Sequence, residues 1–359
     1  MKIGFDSKRL LFNQTGLGNY SRQWVEALLS FNSIELELYA PDYGKFHDIT
    51  VISPEIRQNF LNGLYKGFWR SFQMGKVAQN NGCDIFHGLS NEIPIGKIQI
   101  PRICTIHDVI FKEYPDYYSP IDRSVYNYKT RYACSNAEAI IVTSETTKLE
   151  LLKYYDVNES KIHVVYQSIN PRFKEVNWDP QTENPYFLYY SSFNPRKNQL
   201  QLIRAFADIV NSCDFNLIIA GNGRDFNAIK QLIDELSLTE RVFINQSPSD
   251  DEILQLLVKS SGFVYPSLQE GFGIPLVEAA NVGVPIIVSD IPIFRELSSN
   301  AALDYFDPRS QWEMSKSLLK LIEFNNSKQK SVFDFKELIG NTNSENMAKK
   351  AIEIYKSVL

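Results

Sequence analysis

Two glutamates flank a glycine-rich turn in residues 267–280, which read SLQEGFGIPLVEAA. A short apolar strand is predicted before the turn, and Pro275 stands where the first turn of a helix should begin, a position that tolerates proline. Residues 271–274 would then lie at a helix N-terminus, whose amides suit phosphate groups or sugar hydroxyls. Glu270 and Glu278 could accept hydrogen bonds from hydroxyl pairs. The segment predicts a phosphate- and hydroxyl-rich ligand, although an ordinary strand-turn-helix with solvated glutamates fits the same pattern.

A pair of cations, Arg196 and Lys197, stands near the end of the loop 191–198 (SSFNPRKN), between a predicted strand and a predicted helix. Two cations at that position could neutralise a diphosphate and stabilise it as a leaving group. A solvated surface pair is the alternative interpretation.

Two further segments stand where α/β sheets bind ligands. Gly16 and Gly18, in the loop 15–19 (TGLGN), predict a glycine turn between the first strand and a helix reaching about residue 30. That is the usual anion-contacting position of an α/β domain, and close packing explains the glycines equally well. His107 and Asp108 end a predicted strand at 102–107, where ligands gather in parallel sheets. The other histidines, His47, His87 and His163, are interpreted as structural.

The elements that would position these residues alternate between strand and helix patterns, which predicts parallel, doubly wound sheets. The periodicity disappears at 170–185, a segment with the proline-rich composition of a linker, and a second alternation follows. At 359 residues the chain is long for one core, so two domains are expected. The strands are predicted at 2–6, 35–40, 84–89, 102–107, 139–143 and 161–166, then at 186–191, 215–220, 241–245, 262–266 and 285–289.

The Glu-x7-Glu spacing around Gly-Phe-Gly-Ile-Pro closely resembles the nucleotide-sugar-binding motif of the retaining glycosyltransferases of family 4, also called glycosyl transferases group 1. This resemblance implies the GT-B fold, an α/β fold of two Rossmann-like, doubly wound domains facing across a cleft. Residues 1–170 would form an acceptor-binding domain, and 171–342 a nucleotide-sugar-binding domain. The last helix, at 343–359, would cross back to the first domain.

The resemblance also assigns roles to the residues above. Glu270 would contact hydroxyls of the donor sugar, and His107 would hydrogen-bond that sugar or help to position the acceptor. Lys197 and Arg196 would meet the diphosphate. The family usually has a glycine near Ser191, and some members have a further arginine early in this loop, but both are missing here. Two interpretations therefore stand: both cations contact phosphate, or Lys197 alone does. The implied donor-binding residues are Gly16, Gly18, Phe272, Gly273, Ile274, Leu276 and Glu278.

The function implied by the resemblance is a metal-independent, retaining transfer of a hexose from a nucleotide diphosphate sugar to a glycan acceptor. By analogy the sugar would be mannose, and the acceptor a lipid-linked glycan of lipopolysaccharide O-antigen or capsule synthesis. No cofactor or metal is expected. The alternatives are a nucleotide-sugar epimerase or phosphorylase of GT-B fold, and a non-catalytic two-domain sugar-binding protein.

The composition fits a globular enzyme that does not bind nucleic acid. The net charge is −5, and the four cysteines, which show no metal-ligand spacing, predict reduced thiols and a cytoplasmic location. No apolar run is long enough to span a membrane. Two basic aromatic segments, 56–83 and 126–132, could contact the cytoplasmic face of a membrane or could pack as ordinary amphipathic helices. In 56–83 the cations include Arg57, Lys66, Arg70 and Lys76.

Overall fold

The computed structural model describes residues 1–13, 16–54, 62–180, 183–298, 301–327 and 335–359. The chain divides into two compact units, Met1–Ser168 with Thr342–Leu359, and Ile169–Asn341. Each unit contains a parallel sheet with flanking helices, which confirms the predicted α/β class. Thr15, Arg57 and Phe60, which belong to predicted segments, lie outside the described residues.

The sheet of the first unit contains six parallel strands among the described residues, in the order β2-β1-β5-β6-β7-β8. The residues of β5 and β7 are buried throughout, as expected for strands covered on both faces. The strand order reverses direction between β1 and β5, and a ligand crevice is expected beyond the carboxyl ends of those strands. The strands of this unit, with one short hairpin, are β1 (Lys2–Asp6), β2 (Glu35–Tyr39), β3 (Lys45–Phe46), β4 (Ile49–Thr50), β5 (Ile85–Gly88), β6 (Arg102–Ile106), β7 (Ala139–Val142) and β8 (Ile162–Val164).

Helices connect these strands. The longest, α6, begins at Pro120 behind the N-cap Ser119, whose side chain accepts from the amide of Asp122. A π-helical turn, Trp69–Gln73, joins α3 to α4. The helices are α1 (Lys8–Phe12), α2 (Gly16–Leu29), α3 (Asn62–Phe68), α4 (Met74–Asn80), α5 (Ile110–Glu113), α6 (Pro120–Asn136) and α7 (Glu145–Tyr154).

The sheet of the second unit has the order β11-β10-β9-β12-β13-β14 over its described strands, all parallel. Here the order reverses between β9 and β12, so the loops after these two strands meet at one edge of the sheet. The strands are β9 (Tyr186–Tyr190), β10 (Asn216–Gly221), β11 (Val242–Gln246), β12 (Gly262–Tyr265), β13 (Ile286–Ser289) and β14 (Asp304–Phe306).

The helices of the second unit follow local signals in the sequence. Residues 249–252 have the Ser-x-x-Glu pattern of a capping box, and Ser249 and Glu252 form one at the start of α10. Ser310 caps α13, a helix that the sequence analysis did not assign. The helices are α8 (Gln199–Ala207), α9 (Phe226–Glu235), α10 (Asp250–Lys259), α11 (Ile274–Val282), α12 (Pro292–Ser298), α13 (Gln311–Asn326) and α14 (Lys336–Asn341).

The last helix, α15 (Ser344–Ser357), belongs to the first unit. Its Tyr355 is fully buried and accepts a hydrogen bond from Trp24 Nε1 at 2.8 Å. The Tyr355 hydroxyl also contacts His87 Nδ1 at 2.8 Å, and His87 Nε2 contacts the hydroxyl of Thr105 at 2.9 Å. These bonds tie the C-terminal helix to α2 and to the central strands, and they give His87 the structural role that was expected of it.

The structure describes residues 62–83 of the basic aromatic segment. Two of its cations form ion pairs: Arg70 pairs with Asp6 at 2.6 Å and also with Glu92, and Lys66 pairs with Asp42. Lys76 is exposed. The large apolar residues of the segment are mostly exposed. Leu64 is 77% exposed, and Tyr65, Phe68 and Phe72 are also exposed, whereas Trp69 is buried. Arg70 is therefore a buried structural cation.

Candidate active site

The loops after β9 and β12 carry the predicted cations and the first predicted glutamate. Arg196 and Lys197 lie in a short 3-10 turn, Pro195–Lys197, and Asn198 follows with φ 62°. The Asn198 side chain donates to the carbonyl oxygens of Pro266 and Pro308, at 3.1 and 2.7 Å. The amide of Leu268 donates to the carbonyl oxygen of Arg196 at 2.8 Å. These bonds fasten the two loops together at the point where the strand order reverses.

Glu270 is the centre of a buried ion cluster. Lys197 Nζ lies 2.5 Å from Glu270 Oε1, and Arg196 Nη1 lies 2.9 Å from Glu270 Oε2. The Tyr265 hydroxyl donates to the same Oε1 at 3.0 Å, and Lys197 Nζ contacts that hydroxyl at 3.1 Å. Arg196 also donates to the carbonyl oxygen of Gln269 at 2.5 Å. The structure thus brings Arg196, Lys197 and Glu270 together as ion-pair partners.

The cluster keeps Glu270 ionised. Burial raises the pKa of this carboxyl, but the charges of Lys197 and then Arg196 outweigh burial and hold the pKa at about 2. The Glu270 and Lys197 side chains are only 7% and 9% exposed, so their attraction is little screened by water. Burial also raises the pKa of Tyr265 well above its ordinary value, and the Glu270 charge adds to this. Tyr265 is therefore a hydrogen-bond donor at neutral pH.

The glycine-rich turn of the candidate site begins α11 as predicted. Gly273 is the N-cap with φ 101°, and a Cβ at this position would meet the ring of Phe294 at 2.9 Å. Glycine is therefore required both by conformation and by space. Phe272 is buried, whereas Ile274 is partly exposed. Leu276 is fully buried, and its amide donates to the carbonyl oxygen of Gly273 at 3.0 Å. Neither the side chain nor the amide of Leu276 is therefore presented to a ligand.

Glu278 lies on α11, opposite the end of β9. The hydroxyl of Tyr190 donates to Glu278 Oε2 at 2.8 Å. Burial raises the pKa of Glu278 to about 8; the Tyr190 bond lowers it, and the charge of Asp250 raises it further. Unlike Glu270, this partly buried carboxyl has no cation beside it among the described ion pairs to offset the effect of burial on its pKa.

His107 belongs to the first unit, where it follows β6. It is 6% exposed, its backbone amide donates to Asn91 Oδ1 at 3.1 Å, and its Nε2 lies 2.9 Å from the carbonyl oxygen of Leu89. Since a carbonyl only accepts, Nε2 carries the proton. Burial lowers the pKa of His107, so the ring is neutral with Nδ1 as its acceptor. The Tyr20 ring packs edge-on against it, with the centroids 4.5 Å apart.

A cavity of about 190 Å³ opens beside His107. We call it the aromatic cavity. It combines three aromatic side chains with charged and amide groups, and Arg9 contributes a buried Nε without a hydrogen-bond partner. Lys129 on its wall pairs with Glu92 at 2.5 Å. Besides His107, the lining residues are Arg9, Leu17, Ser90, Asn91, Glu92, Asp108, Phe111, Tyr118, Tyr126 and Lys129.

The two N-terminal glycines are placed differently from the predicted turn. Both lie inside the first turn of α2, and neither has a positive φ. A Cβ on Gly18 would lie 1.8 Å from the carbonyl oxygen of Asn13, so close packing of α1 against α2 requires this glycine. Gly16 has open space around it and is exposed. Of the two, only Gly16 leaves room for a ligand.

Sequence reasoning missed several groups at these sites. Tyr265 and Tyr190 stand at the ends of β12 and β9, where a side chain reaches the ligand edge of the sheet. Their position at the ends of strands could therefore have identified both tyrosines as candidate site residues. Arg9 has no comparable signal, because its importance depends on a cavity built from segments far away in sequence.

The described part of the chain holds no group of three or more His, Cys, Asp or Glu side chains that could bind a metal ion. Cys83, Cys104 and Cys134 are buried free thiols, and Cys213 is a partly buried one. Within the same residues, no helix is both long and apolar enough to cross a membrane.

Comparison with known proteins identifies the family. The model for glycosyl transferases group 1 matches residues 172–333, and the model for glycosyltransferase family 4 matches residues 15–173. O-antigen chain mannosyltransferase RfbU of Salmonella typhimurium is 33% identical to this chain, with 93% of this chain and 97% of the relative covered. The chain belongs to the glycosyl transferases group 1, family 4. It is a glycosyltransferase, as predicted.

Two further comparisons describe the fold and a relative's chemistry. Sucrose-phosphate synthase from Thermosynechococcus elongatus matches with a TM-score of 0.78 at 16% identity, over 99% of this chain and 98% of that structure. This confirms the GT-B expectation at the level of fold. The GDP-mannose:cellobiosyl-diphosphopolyprenol alpha-mannosyltransferase of Xanthomonas oryzae is 27% identical over 63% of this chain and 58% of its own length.

Proposed function

We propose that this glycosyltransferase moves a hexose, with retention of configuration and without a metal ion, from a nucleotide diphosphate sugar bound by the second unit. The observation that carries the proposal is the buried cluster of Glu270, Lys197 and Arg196 at the edge of the sheet where α11 begins. Two cations and a helix N-terminus supply positive charge where a diphosphate leaving group would develop negative charge.

The donor would bind at the cluster of Glu270, Lys197 and Arg196, whose side chains are already ionised. An ionised carboxylate has roughly four acceptor positions. Three donors, from Lys197, Tyr265 and Arg196, contact Glu270. Oε2, which accepts from Arg196, would also accept from a hydroxyl of the donor sugar. The cations would hold phosphate oxygens while Glu270 keeps them in place, and Glu278 would accept from the ribose diol in its ionised form.

The nature of the substrates is inferred from the named relatives. The O-antigen mannosyltransferase relative supports mannose as the sugar and lipopolysaccharide O-antigen synthesis as the process, with capsule synthesis as the related alternative. The Xanthomonas relative names both GDP-mannose and a diphosphopolyprenol-linked acceptor. We therefore propose GDP-mannose as donor and a lipid-linked glycan as acceptor, in a cytoplasmic enzyme.

A thermal-shift panel of UDP, GDP, ADP and their sugar conjugates, with EDTA and with Mg²⁺, tests the donor proposal. A ligand at about a hundred times its Kd adds about 2.7 kcal/mol of stability. We expect GDP and GDP-mannose to raise the Tm equally with EDTA and Mg²⁺. Lys197→Ala should abolish that increase, and Lys230→Ala, which removes an exposed lysine of the same unit, should preserve it. A shift that requires Mg²⁺ would contradict metal-independent binding.

Product analysis separates this reaction from its alternatives. A transferase releases GDP in proportion to the glycan acceptor that it consumes. An epimerase would convert the sugar without releasing the nucleotide, and a binding protein would turn over neither compound. The anomeric configuration of the new linkage, measured by NMR, tests retention: an inverted product would refute it.

We further propose that the first unit touches the membrane that carries the acceptor. Its exposed apolar side chains include Leu64, Phe68 and Phe72 near the π-helical turn. Apolar residues exposed together in this way favour an interfacial position on a lipid surface. Co-sedimentation with phosphatidylglycerol vesicles should fall when all three are changed to serine and should not change in Trp312→Ser, a control on the second unit. Equal sedimentation of all these proteins would refute the contact.

A further inference from the structure

A second groove of about 270 Å³ lies next to the aromatic cavity in the first unit and shares Phe111 with it. We call it the cationic groove. Its lining carries no acidic residue. The lining residues are Phe111, Lys112, Pro115, Arg123, Ser124 and Asn127.

The polar groups of the cationic groove are mostly hydrogen-bond donors. Lys112 and Arg123 are partly buried, and no carboxylate of the described residues forms an ion pair with either. Asn127 Oδ1 accepts from the Tyr155 hydroxyl at 3.1 Å, which leaves the amide Nδ2 as the group available to the groove. The hydroxyl of Ser124 donates to the carbonyl oxygen of Pro120 at 2.9 Å. Two cations and an amide donor together suit an anion.

Positive charge is concentrated here rather than balanced. Burial lowers the pKa of Lys112, and the neighbouring charge of Arg131 lowers it further. The acid next in sequence, Glu113, is taken by Lys153 at 2.8 Å and by the hydroxyl of Tyr154 at 3.0 Å. The aromatic cavity differs, because there Lys129 and Arg70 both pair with Glu92.

The helix that carries Arg123 also carries an exposed apolar strip. On α6, Ile121, Val125 and Tyr128 follow one another at helical spacing and are 76%, 42% and 56% exposed. Ile121 and Val125 are each two positions from Arg123, so the strip and Arg123 lie on different faces of α6. One unit therefore carries an aromatic cavity with charged and amide groups, an adjoining groove of cations, and an exposed apolar strip on the helix that lines both.

We propose that the cationic groove binds the diphosphate that links the acceptor glycan to its lipid, with Lys112 and Arg123 as the phosphate-binding residues. The cavity would then hold a sugar ring of the glycan, and the strip Ile121–Val125–Tyr128, on another face of α6, would contact the lipid surface. At about 190 Å³ the cavity is smaller than the roughly 300–1,000 Å³ of drug-sized pockets, which fits one sugar ring. This assignment rests on the proposed function.

The test uses farnesyl diphosphate as the probe and isothermal titration calorimetry on the full chain. Each charge-assisted contact to phosphate is strong, and tenfold in Kd corresponds to about 1.4 kcal/mol. We expect Lys112→Gln and Arg123→Gln each to weaken binding about tenfold, and the double variant about a hundredfold. Lys112→Arg should restore most of the affinity. Lys97→Gln, which removes an exposed lysine of the same unit outside the cationic groove, should have no effect.

Two comparisons locate the anion contact. Farnesol, which lacks the diphosphate, should bind more weakly than farnesyl diphosphate to the wild type and should bind equally to all the variants. Lys197→Gln, in the second unit, should leave farnesyl diphosphate binding intact. The proposal is overturned if farnesyl diphosphate binds the double variant as well as the wild type, if farnesol binds as tightly as its diphosphate, or if Lys197→Gln abolishes binding.

Titration of GDP, UDP and ADP on the same proteins separates this proposal from the donor proposal. Nucleotide binding should be unchanged in Lys112→Gln and Arg123→Gln, and their Tm values should match the wild type. If no nucleotide binds the wild type, the donor proposal fails. The effect of the Lys112 and Arg123 substitutions on farnesyl diphosphate binding would still decide whether the cationic groove binds a diphosphate.

Discussion

Replacing Glu270 with glutamine removes one charge from the buried cluster and keeps its shape. The substitution leaves Lys197 and Arg196 without the carboxylate that faces both of them. Removing one partner of a buried ion pair costs about 3–5 kcal/mol, because the remaining charge stays buried without compensation. We expect Glu270→Gln to be destabilised by about 3 kcal/mol and to lose most of its turnover.

The pKa of Glu270 gives a second route to the same magnitude. The value falls from an ordinary 4.5 to about 2 in the folded chain, and each pKa unit corresponds to about 1.36 kcal/mol, so the cluster contributes about 3 kcal/mol. Because the folded pKa is depressed, this stability is fully present above pH 4.5 and is lost as the pH falls towards 2. Glu270→Gln should therefore show a smaller loss of stability than the wild type over that range.

Thermal unfolding measures the effect directly. For a unit of this size each kcal/mol changes the Tm by about 2–4 °C, so the expected decrease is about 6–12 °C at pH 7. The matched control is Glu240→Gln, which removes an exposed glutamate of the same unit that forms none of the described ion pairs. Its Tm should remain within about 1–2 °C of the wild type, since surface substitutions change stability by about 0.5 kcal/mol or less.

Nucleotide binding provides the decisive contrast. A diphosphate brings negative charge to cations that have lost their carboxylate, so GDP should bind Glu270→Gln at least as tightly as the wild type and should raise its Tm by more. If Glu270→Gln melts like the wild type, the buried pairs contribute no stability and the electrostatic reasoning is wrong. Wild-type turnover in the folded variant would instead refute the proposed catalytic role of Glu270.

Three further predictions concern single residues. Gly273→Ala should lose about 1–3 kcal/mol in urea unfolding, because its φ of 101° and the Phe294 ring at 2.9 Å both disfavour a Cβ; unchanged stability would contradict this conformation. Tyr355→Phe should cost about 1–3 kcal/mol, since it leaves polar groups of Trp24 and His87 buried without a partner; a cost below 0.5 kcal/mol would count against the hydrogen-bonded chain. Burial raises the pKa of Glu278 above its unfolded value, so wild-type stability should fall between pH 5 and pH 8 while Glu278→Gln shows a smaller fall; parallel pH profiles would disprove the raised pKa.

The features that were predictable from sequence are those with local causes. The apolar run before the turn, the glycines and Pro275 together predicted a strand, a glycine-rich turn and the start of α11, and the structure has each of these in place. The Ser249–Glu252 capping box also needs only four residues to be recognised. Such patterns depend on residues that are close together in the sequence, so the sequence alone shows every residue that contributes to them.

The role of Arg70 could not be predicted in this way. The sequence around it is basic and aromatic, which suggested a lipid surface or a solvated edge. Its partners, Asp6 and Glu92, are 64 and 22 residues away; Asp6 is the last residue of β1, and Glu92 lies in the loop after β5. Only the parallel pairing of those two strands places both carboxylates beside one guanidinium. A buried ion pair between residues so far apart in sequence depends on the fold, so a local sequence pattern cannot predict it.

The ion cluster at Glu270 shows a third case, in which the residues were predictable and their mutual arrangement was not. Arg196, Lys197 and Glu270 were each expected to face a ligand, and the absence of an arginine earlier in the loop left the role of Arg196 open. In the structure both cations contact the same carboxylate. If both also contact phosphate, Lys197→Ala and Arg196→Ala should each weaken GDP binding, and Lys197→Ala should do so more, because Lys197 is the more buried cation. Loss of affinity in Lys197→Ala alone would assign the phosphate contact to the lysine and leave Arg196 the task of holding Glu270.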